Sequence, residues 1–323
     1  MAPKNDIPGR IWITLLVFLT FAFGMIGMAA ATGWREALEA IQKISIWQFA
    51  LLLGLSLINY GFRGIRWHVY TSASGIPTRF PADMRHYLGG FALTATPGRV
   101  GELIRLRWIW RETGRRPDST ASIVLADRAG DLAAVGLLLA MSIAASAAGL
   151  AGAWTAAFLA VLLALLATRP ELMRFGITMG WKCLGTFPRL FAGLRRATGG
   201  LKTFSKASVF MPGTGLGMVG WCAEAYAFFL LLQWLGADVG LATAFAIFFF
   251  SMLTGGATGL PGGIGGAEAA MVAALALNDV PFEIALPATA IIRLTTLWFA
   301  ILVGVGVFPF AERHAAVSDK GAE

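Results

Sequence analysis

Apolar residues gather into long runs separated by short basic segments, and the lengths of the runs predict the elements. Ile11 to Ala31, Ile46 to Tyr70, Ala121 to Leu150, Val209 to Leu235 and Ile284 to Phe310 each offer about 20 or more mainly apolar residues, the length a helix needs to cross a hydrocarbon core. Ala153 to Thr168 is read as a further span. Two other apolar regions are interrupted. Ala82 to Trp110 divides into Tyr87 to Ala95 and Val100 to Trp110, each too short to cross, with TPGR between them. Val239 to Asn278 divides around LPGGIGG. Proline removes a backbone donor and glycine tolerates unusual dihedrals, so both regions read as re-entrant hairpins of two half-helices. The breaks fall at Pro97 and Gly98 in the first and at Pro261, Gly262 and Gly263 in the second. The fold class expected is an all-α polytopic integral membrane protein with about six full spans and two re-entrant hairpins. Eight full spans, with Val239 to Leu260 crossing outright, is the alternative.

The two breaks resemble each other. The first reads TPGRVGE over 96–102 and the second LPGGIGGAE over 260–268. An arginine follows each proline at nearly the same distance: Pro97 to Arg128 is 31 positions and Pro261 to Arg293 is 32. Lys and Arg crowd 63–85, 105–116 and 169–206, whereas none occurs from Ala207 to Ile292. The positive-inside rule then puts the three basic regions and both termini on the cytoplasmic side. The first hairpin dips from that side and the second from the other. The whole chain, 1–323, reads as one domain: a first repeat over 46–150, a basic cytoplasmic or interfacial segment over 169–206, and a second, inverted repeat over 209–310. Inverted repeats meeting at broken helices are a common construction of secondary transporters.

Composition agrees with the bilayer. Of 323 residues 57% are hydrophobic and 14% charged, against about 25% charged in soluble domains. The net charge of +8 therefore points to loop asymmetry and anionic headgroups, not to nucleic acid. Two cysteines and three histidines show no ligand spacing, so neither a metal nor a cofactor is expected. Lys4 and Arg10 precede the first run without a convincing cleavage site, which reads as an uncleaved first helix. Basic loops without a disulfide framework suit a multi-pass protein of a bacterial inner membrane.

Charges inside the apolar regions are the candidate chemistry, since each costs roughly 2.5–3.5 kcal/mol at membrane depth unless paired or wetted. Arg99, Glu102 and Arg105 recur every three residues, so Glu102 can pair with either arginine. Free N–H groups after the Pro97–Gly98 break, with Arg99, suit a lipid phosphate. An interfacial helix whose charges only touch headgroups is the alternative. Asp127, Arg128 and Asp131 lie in LADRAGDLA and are expected to face the first hairpin, pairing with Arg99 or Arg105, either as a lock or as part of a site. Glu268 and Arg293 are expected to pair in the second half, which also holds Glu224. Arg63 and Arg66 are expected to snorkel to headgroups, and Trp108, Trp110, Trp181 and Trp234 to anchor at the interface. No nucleophile–base arrangement is present, so no catalytic residue is assigned.

TPGRVGELIR, then DRAGDL, then LPGGIGGAEAAM, and an arginine in the last span resemble the lysylphosphatidylglycerol synthase transmembrane family, also called the flippase-like domain family. The order and spacing match along nearly the whole chain. The resemblance implies a helical bundle with re-entrant segments around an intramembrane polar site. The family includes the flippase domain of the bacterial multiple peptide resistance factor, which moves aminoacylated phosphatidylglycerol between leaflets. Other members are stand-alone, and several accompany glycosyltransferases or hopanoid-type lipid pathways. Only Ala311 to Glu323 follows the last span, so aminoacyl transfer is not carried over. Gly265 and Gly266 stand where members often have a bulkier or charged residue. The function expected is a flippase-like transporter of a polar or phosphate-bearing lipid headgroup. A lipid-modifying membrane enzyme and an accessory scaffold for a glycosyltransferase are the alternatives. The partners expected are anionic or phosphate-bearing membrane lipids and a glycosyltransferase or lipid-synthesis protein.

Overall fold

A computed structural model describes residues 44–94, 96, 100–146, 153–184, 195 and 198–320. Pro97, Gly98 and Arg99, and the first expected span, Ile11 to Ala31, lie outside the described residues. The described residues are helical throughout, with short connections and no strand.

Helix α1, Ile46–Ala73, is 28 residues long and opens on a capping box. The Gln48 N–H donates to Ser45 Oγ at 3.3 Å, and the Ser45 N–H donates to Gln48 Oε1 at 2.8 Å. The first hairpin comprises α2, Phe80–Gly89, running into a 3₁₀ turn, Gly90–Leu93, and α3, Val100–Thr113. Its first arm begins at Phe80 rather than Tyr87, because Pro81 suits the first turn of a helix. Helix α4 is Pro117–Ala144, again 28 residues. Helix α5, Ala153–Ala167, meets α6, Pro170–Leu184, at a bend of 92°, and α6 turns Leu172, Phe175 and Trp181 outward. Arg174 Nε donates to Thr198 Oγ1 at 3.1 Å and ties α6 to the short turns at 198–204.

The second half repeats the order of the first. Helix α7, Ala207–Trp234, is 28 residues long. The second hairpin is α8, Leu241–Ala257, a turn at Pro261–Gly263, and α9, Gly266–Ala276. Helix α10, Phe282–Arg293, continues through a π turn, Leu294–Trp298, into α11, Phe299–Lys320. Among the described residues, α7 and the continuous 282–317 stretch are long and apolar enough to cross a membrane on their own. Helices α1 and α4 are about 42 Å long, but each carries a charged face. At 17 residues α8 covers about 25 Å, less than the roughly 30 Å of a hydrocarbon core.

Packing is reciprocal between the halves. Helix α1 lies along α7; the first hairpin packs on α11; the second hairpin packs on α4. The α1–α7 seam is antiparallel and lined by glycines. A Cβ at Gly213 would lie 2.2 Å from the Tyr70 hydroxyl, at Gly217 2.7 Å from Arg66 Nη1, and at Gly220 3.2 Å from the Asn59 carbonyl. Small residues let the two backbones close on large polar side chains. Phe228, Leu231, Phe248, Phe249 and Ile291 fill the main apolar core beside this seam.

Candidate functional site

The seam carries an arginine into the protein interior. Arg66 of α1 is wholly buried, with Nη2 2.6 Å from Asp127 Oδ1 and 2.8 Å from Asp131 Oδ1 on α4. Its Nε donates to Asp127 Oδ1 at 3.0 Å. One turn away, Arg63 Nη2 donates to Asp131 Oδ2 at 2.7 Å, and its guanidinium lies 4.9 Å above the Trp221 ring of α7. Trp221 Nε1 donates to Asp131 Oδ1 at 3.1 Å. Arg63 and Arg66 thus do not snorkel to a surface. Gly217 leaves room for the Arg66 guanidinium, and the two aspartates, a turn apart, supply the hydrogen-bonded countercharge a buried cation requires.

Arg128 and Arg105 complete the cluster from the opposite side. Arg128 Nη2 is 3.1 Å from Asp127 Oδ2, Nη1 3.3 Å from Asp131 Oδ2, and Nε 3.4 Å from Glu102 Oε1 of α3. Its side chain is 29% exposed, against 0% for Arg66. Arg105 Nη1 reaches only to 3.9 Å from Asp127 Oδ2. An aromatic cage holds its guanidinium, 4.3 Å from the Tyr87 ring centre, 5.2 Å from Trp67 and 5.8 Å from Phe91. Desolvated cation–π contacts of this kind are worth about 2 kcal/mol. The hairpin arms cross where Gly90 meets Gly101: a Cβ on Gly101 would lie 2.1 Å from the Gly90 carbonyl, and one on Gly90 2.3 Å from Arg105 Nε. The close crossing lets Arg105 lie over the arm that bears Gly90. Among the described residues, four guanidiniums, Arg63, Arg66, Arg105 and Arg128, thus surround three carboxylates, Glu102, Asp127 and Asp131. Asp127 meets Arg105, as expected, but its closest partner is Arg66.

The second hairpin holds a simpler site. Arg293 Nε donates to Glu268 Oε1 at 2.6 Å and Nη2 donates to the Gly262 carbonyl at 2.8 Å. Glu268 Oε2 accepts the Gly265 N–H at 2.7 Å. The pair clamps both ends of a turn in which Gly262 and Gly265 adopt φ of 63° and 85°, a region that strains any residue with a Cβ. Glu224 of α7 sits between the two sites, facing Arg63 and Asp131 on one side and Arg293 on the other. It is 5% exposed, and among the described residues no hydrogen bond or ion pair reaches its carboxylate.

A separate polar network ties the first hairpin to α11. Glu312 accepts from Trp108 Nε1 and Arg111 Nη1, each at 2.8 Å, with Arg107 at 3.6 Å. Trp108 is therefore a buried strut against Phe308, Ala311 and Ala315 and not an interface anchor, whereas Trp110 is about half exposed. Beside it, Glu112 Oε1 lies 2.9 Å from Arg85 and 3.1 Å from His86 Nε2, tying the end of α3 to α2. Burial opposes ionisation of Glu112, but the His86 and Arg85 contacts outweigh it and hold the carboxyl below its ordinary value.

The model of the lysylphosphatidylglycerol synthase TM region matches residues 11–304. The chain belongs to this family. A UPF0104 membrane protein of Methanothermobacter thermautotrophicus is 23% identical to it, over 94% of this chain and 97% of that protein. Together with its spanning helices, the family makes this a multi-pass membrane protein. Both ionic sites and Glu224 fall inside the family segment, whereas the Glu312 anchor lies beyond it.

Within that segment, the described candidates form two groups joined at Glu224: Glu102, Arg105, Asp127, Arg128 and Asp131 in one, Glu268 and Arg293 in the other. The sequence reading missed Arg63, Arg66, Trp221 and the aromatic cage. One signal was available. Asn59, Arg63, Arg66 and Tyr70 recur at helical spacing and form a single polar stripe on an otherwise apolar run, which a snorkelling pair alone does not require.

Proposed function

We propose that the protein moves the polar headgroup of an anionic, phosphate-bearing lipid between the leaflets of a bacterial cytoplasmic membrane, the tails remaining in the bilayer. The observation that carries this reading is the excess of guanidinium over paired carboxylate in the first site, four against three among the described residues, with Arg128 at its accessible edge. A phosphate would exchange for the longer, weaker carboxylate contacts of Arg128 and Arg105. Arg66 would stay locked to Asp127 and Asp131. The second hairpin would enter from the opposite leaflet, so that Arg293 meets the headgroup after the first site releases it. The repeated order of helix, broken hairpin and long helix supports this inverted arrangement, as does the reciprocal packing of each hairpin on the other half. The reading contains no covalent step.

The test is leaflet exchange of a tagged phospholipid in proteoliposomes. The wild-type protein is expected to accelerate exchange, and Arg128→Ala to abolish it while eluting and melting as a folded protein. Exchange unchanged in that variant removes the role given to Arg128. Absence of exchange in the wild type, with a glycosyltransferase co-purifying, favours an accessory role instead.

A further inference from the structure

Glu224 is not used by either ion-pair site, although it lies between them. It is buried to 5% exposure, and no described residue donates to it or pairs with it. Its surroundings are polar. In the antiparallel seam Gly220 faces Asn59, so Glu224, one turn on, meets the next turn of α1, the turn of Ser56. Ser56 and Asn59 are wholly buried; Ser56 lies beside the Tyr60 hydroxyl, and Asn59 Nδ2 has no hydrogen-bond partner among the described residues. Tyr60, adjacent to Glu224, spends its hydroxyl proton on the Thr296 carbonyl of the π turn. The charged and titratable groups that act on Glu224 are Tyr60 and Arg63 from α1, Asp131 from α4 and Arg293 from α10; Arg66, Asp127 and Arg128 belong to the same cluster as Arg63 and Asp131. Helix α8 brings no titratable residue, and Lys202 lies in the short helix at the start of α7.

Two consequences follow from this placement. First, every other described acid of the two sites is fastened to a guanidinium, so its protonation must first break an ion pair. Glu224 can gain or lose a proton without that cost. Second, its charge sets the balance of the whole polar interior. Among the described residues, Arg63, Arg66, Arg105, Arg128 and Arg293 are matched by Glu102, Asp127, Asp131, Glu268 and an ionised Glu224. With Glu224 neutral, one cationic charge is left over, and an anionic headgroup restores neutrality at a depth where net charge is costly.

We infer that Glu224 is the proton-binding site of the transport cycle, taking up one proton with each anionic headgroup and giving it back when the headgroup leaves. The proton comes from water on the side of lipid entry and no bond other than the carboxyl O–H is made. A metal cation is disfavoured at this point because Arg63 and Arg293 flank the carboxylate and would repel it, whereas a proton cancels the charge in place. This rests on the lipid reading above and assigns its driving force: a proton gradient would pull the anionic headgroup in the same direction.

The test uses purified full-length protein in weakly buffered detergent with a pH-sensitive dye and short-chain phosphatidylglycerol, whose phosphate does not titrate near neutrality. Lipid binding by the wild type is expected to take up about one proton per lipid at the pH where Glu224 titrates, and its affinity to fall by up to about tenfold per pH unit above that point. Glu224→Gln is expected to bind with no proton uptake and a flat pH profile. Glu224→Asp, which retains a carboxyl, should keep the uptake and serves where the glutamine variant fails to fold. Binding without proton uptake in the wild type, or unchanged uptake in Glu224→Gln, overturns the inference and leaves the lipid reading standing. No binding of the anionic lipid by the wild type overturns the lipid reading itself, and the inference with it.

Discussion

Arg66 and Arg128 touch the same two aspartates, yet their surroundings give them different work. Arg66 is enclosed by α1, α4 and α7, with three contacts of 2.6, 2.8 and 3.0 Å; Arg128 is partly exposed and holds three longer ones. Breaking a buried pair strands the remaining charge and costs about 3–5 kcal/mol. Arg66→Ala is therefore expected to lower the detergent melting temperature sharply, while Arg128→Ala melts close to wild type. Equal melting temperatures would show that the two arginines share one role. At the end of α3, Glu112 titrates below the ordinary carboxylate range because its partners outweigh its burial. A depressed folded-state value stabilises above the unfolded value and is lost as pH falls through the folded one. Glu112→Gln should thus melt below wild type at neutral pH, with the gap closing under acid conditions. A gap independent of pH would count against the ion-pair assignment.

At the scale of elements, the hairpins depend on glycine where their arms cross. In the first, a methyl on Gly101 would meet the Gly90 carbonyl at 2.1 Å, a backbone atom that cannot rotate aside. In the second, a Cβ on Gly255 would lie 2.6 Å from that of Ala267. Gly101→Ala is expected to destabilise the protein by about 1–3 kcal/mol or more, as other overpacked contacts do. Gly54→Ala, a helix glycine with open space around it, should be neutral or stabilising by up to about 1 kcal/mol. Thermal melts of the two variants side by side check both. The second hairpin was readable in the sequence because a Pro-Gly break between short apolar arms has few other physical uses. The Arg293–Glu268 pair was readable because that half offers few other charges. The polar stripe on α1 was readable, but what it packs against was not. An arginine near the end of an apolar run is the same string whether it reaches for headgroups or inserts into a glycine-lined seam, and the glycines that decide it lie far along the chain at 213, 217 and 220. Trp108 misled for the same reason, since its partner Glu312 belongs to the last helix.

For the whole molecule, the reciprocal packing makes a directional claim about the proposed topology. With Cys183 and Cys222 replaced, a cysteine introduced at Leu260 should react with an impermeant reagent from the outside alone, and one at Arg115 from the cytoplasm alone. Labelling of both from one side would remove the inverted arrangement. The π turn at Leu294–Trp298 lies where the two hairpins are linked. It stands between Arg293, which grips the second hairpin, and α11, whose Gly304 lies against the backbone of Ala92 in the first. A π turn holds one residue more than the α turn it interrupts. Were it to tighten into an α turn, the α11 end would rotate by about 100° about its axis relative to the α10 end, one residue's share of a helical turn. Tyr60 donates to the Thr296 carbonyl inside that turn, so loss of this bond would loosen the link between the post on which the first hairpin leans and the arginine that grips the second.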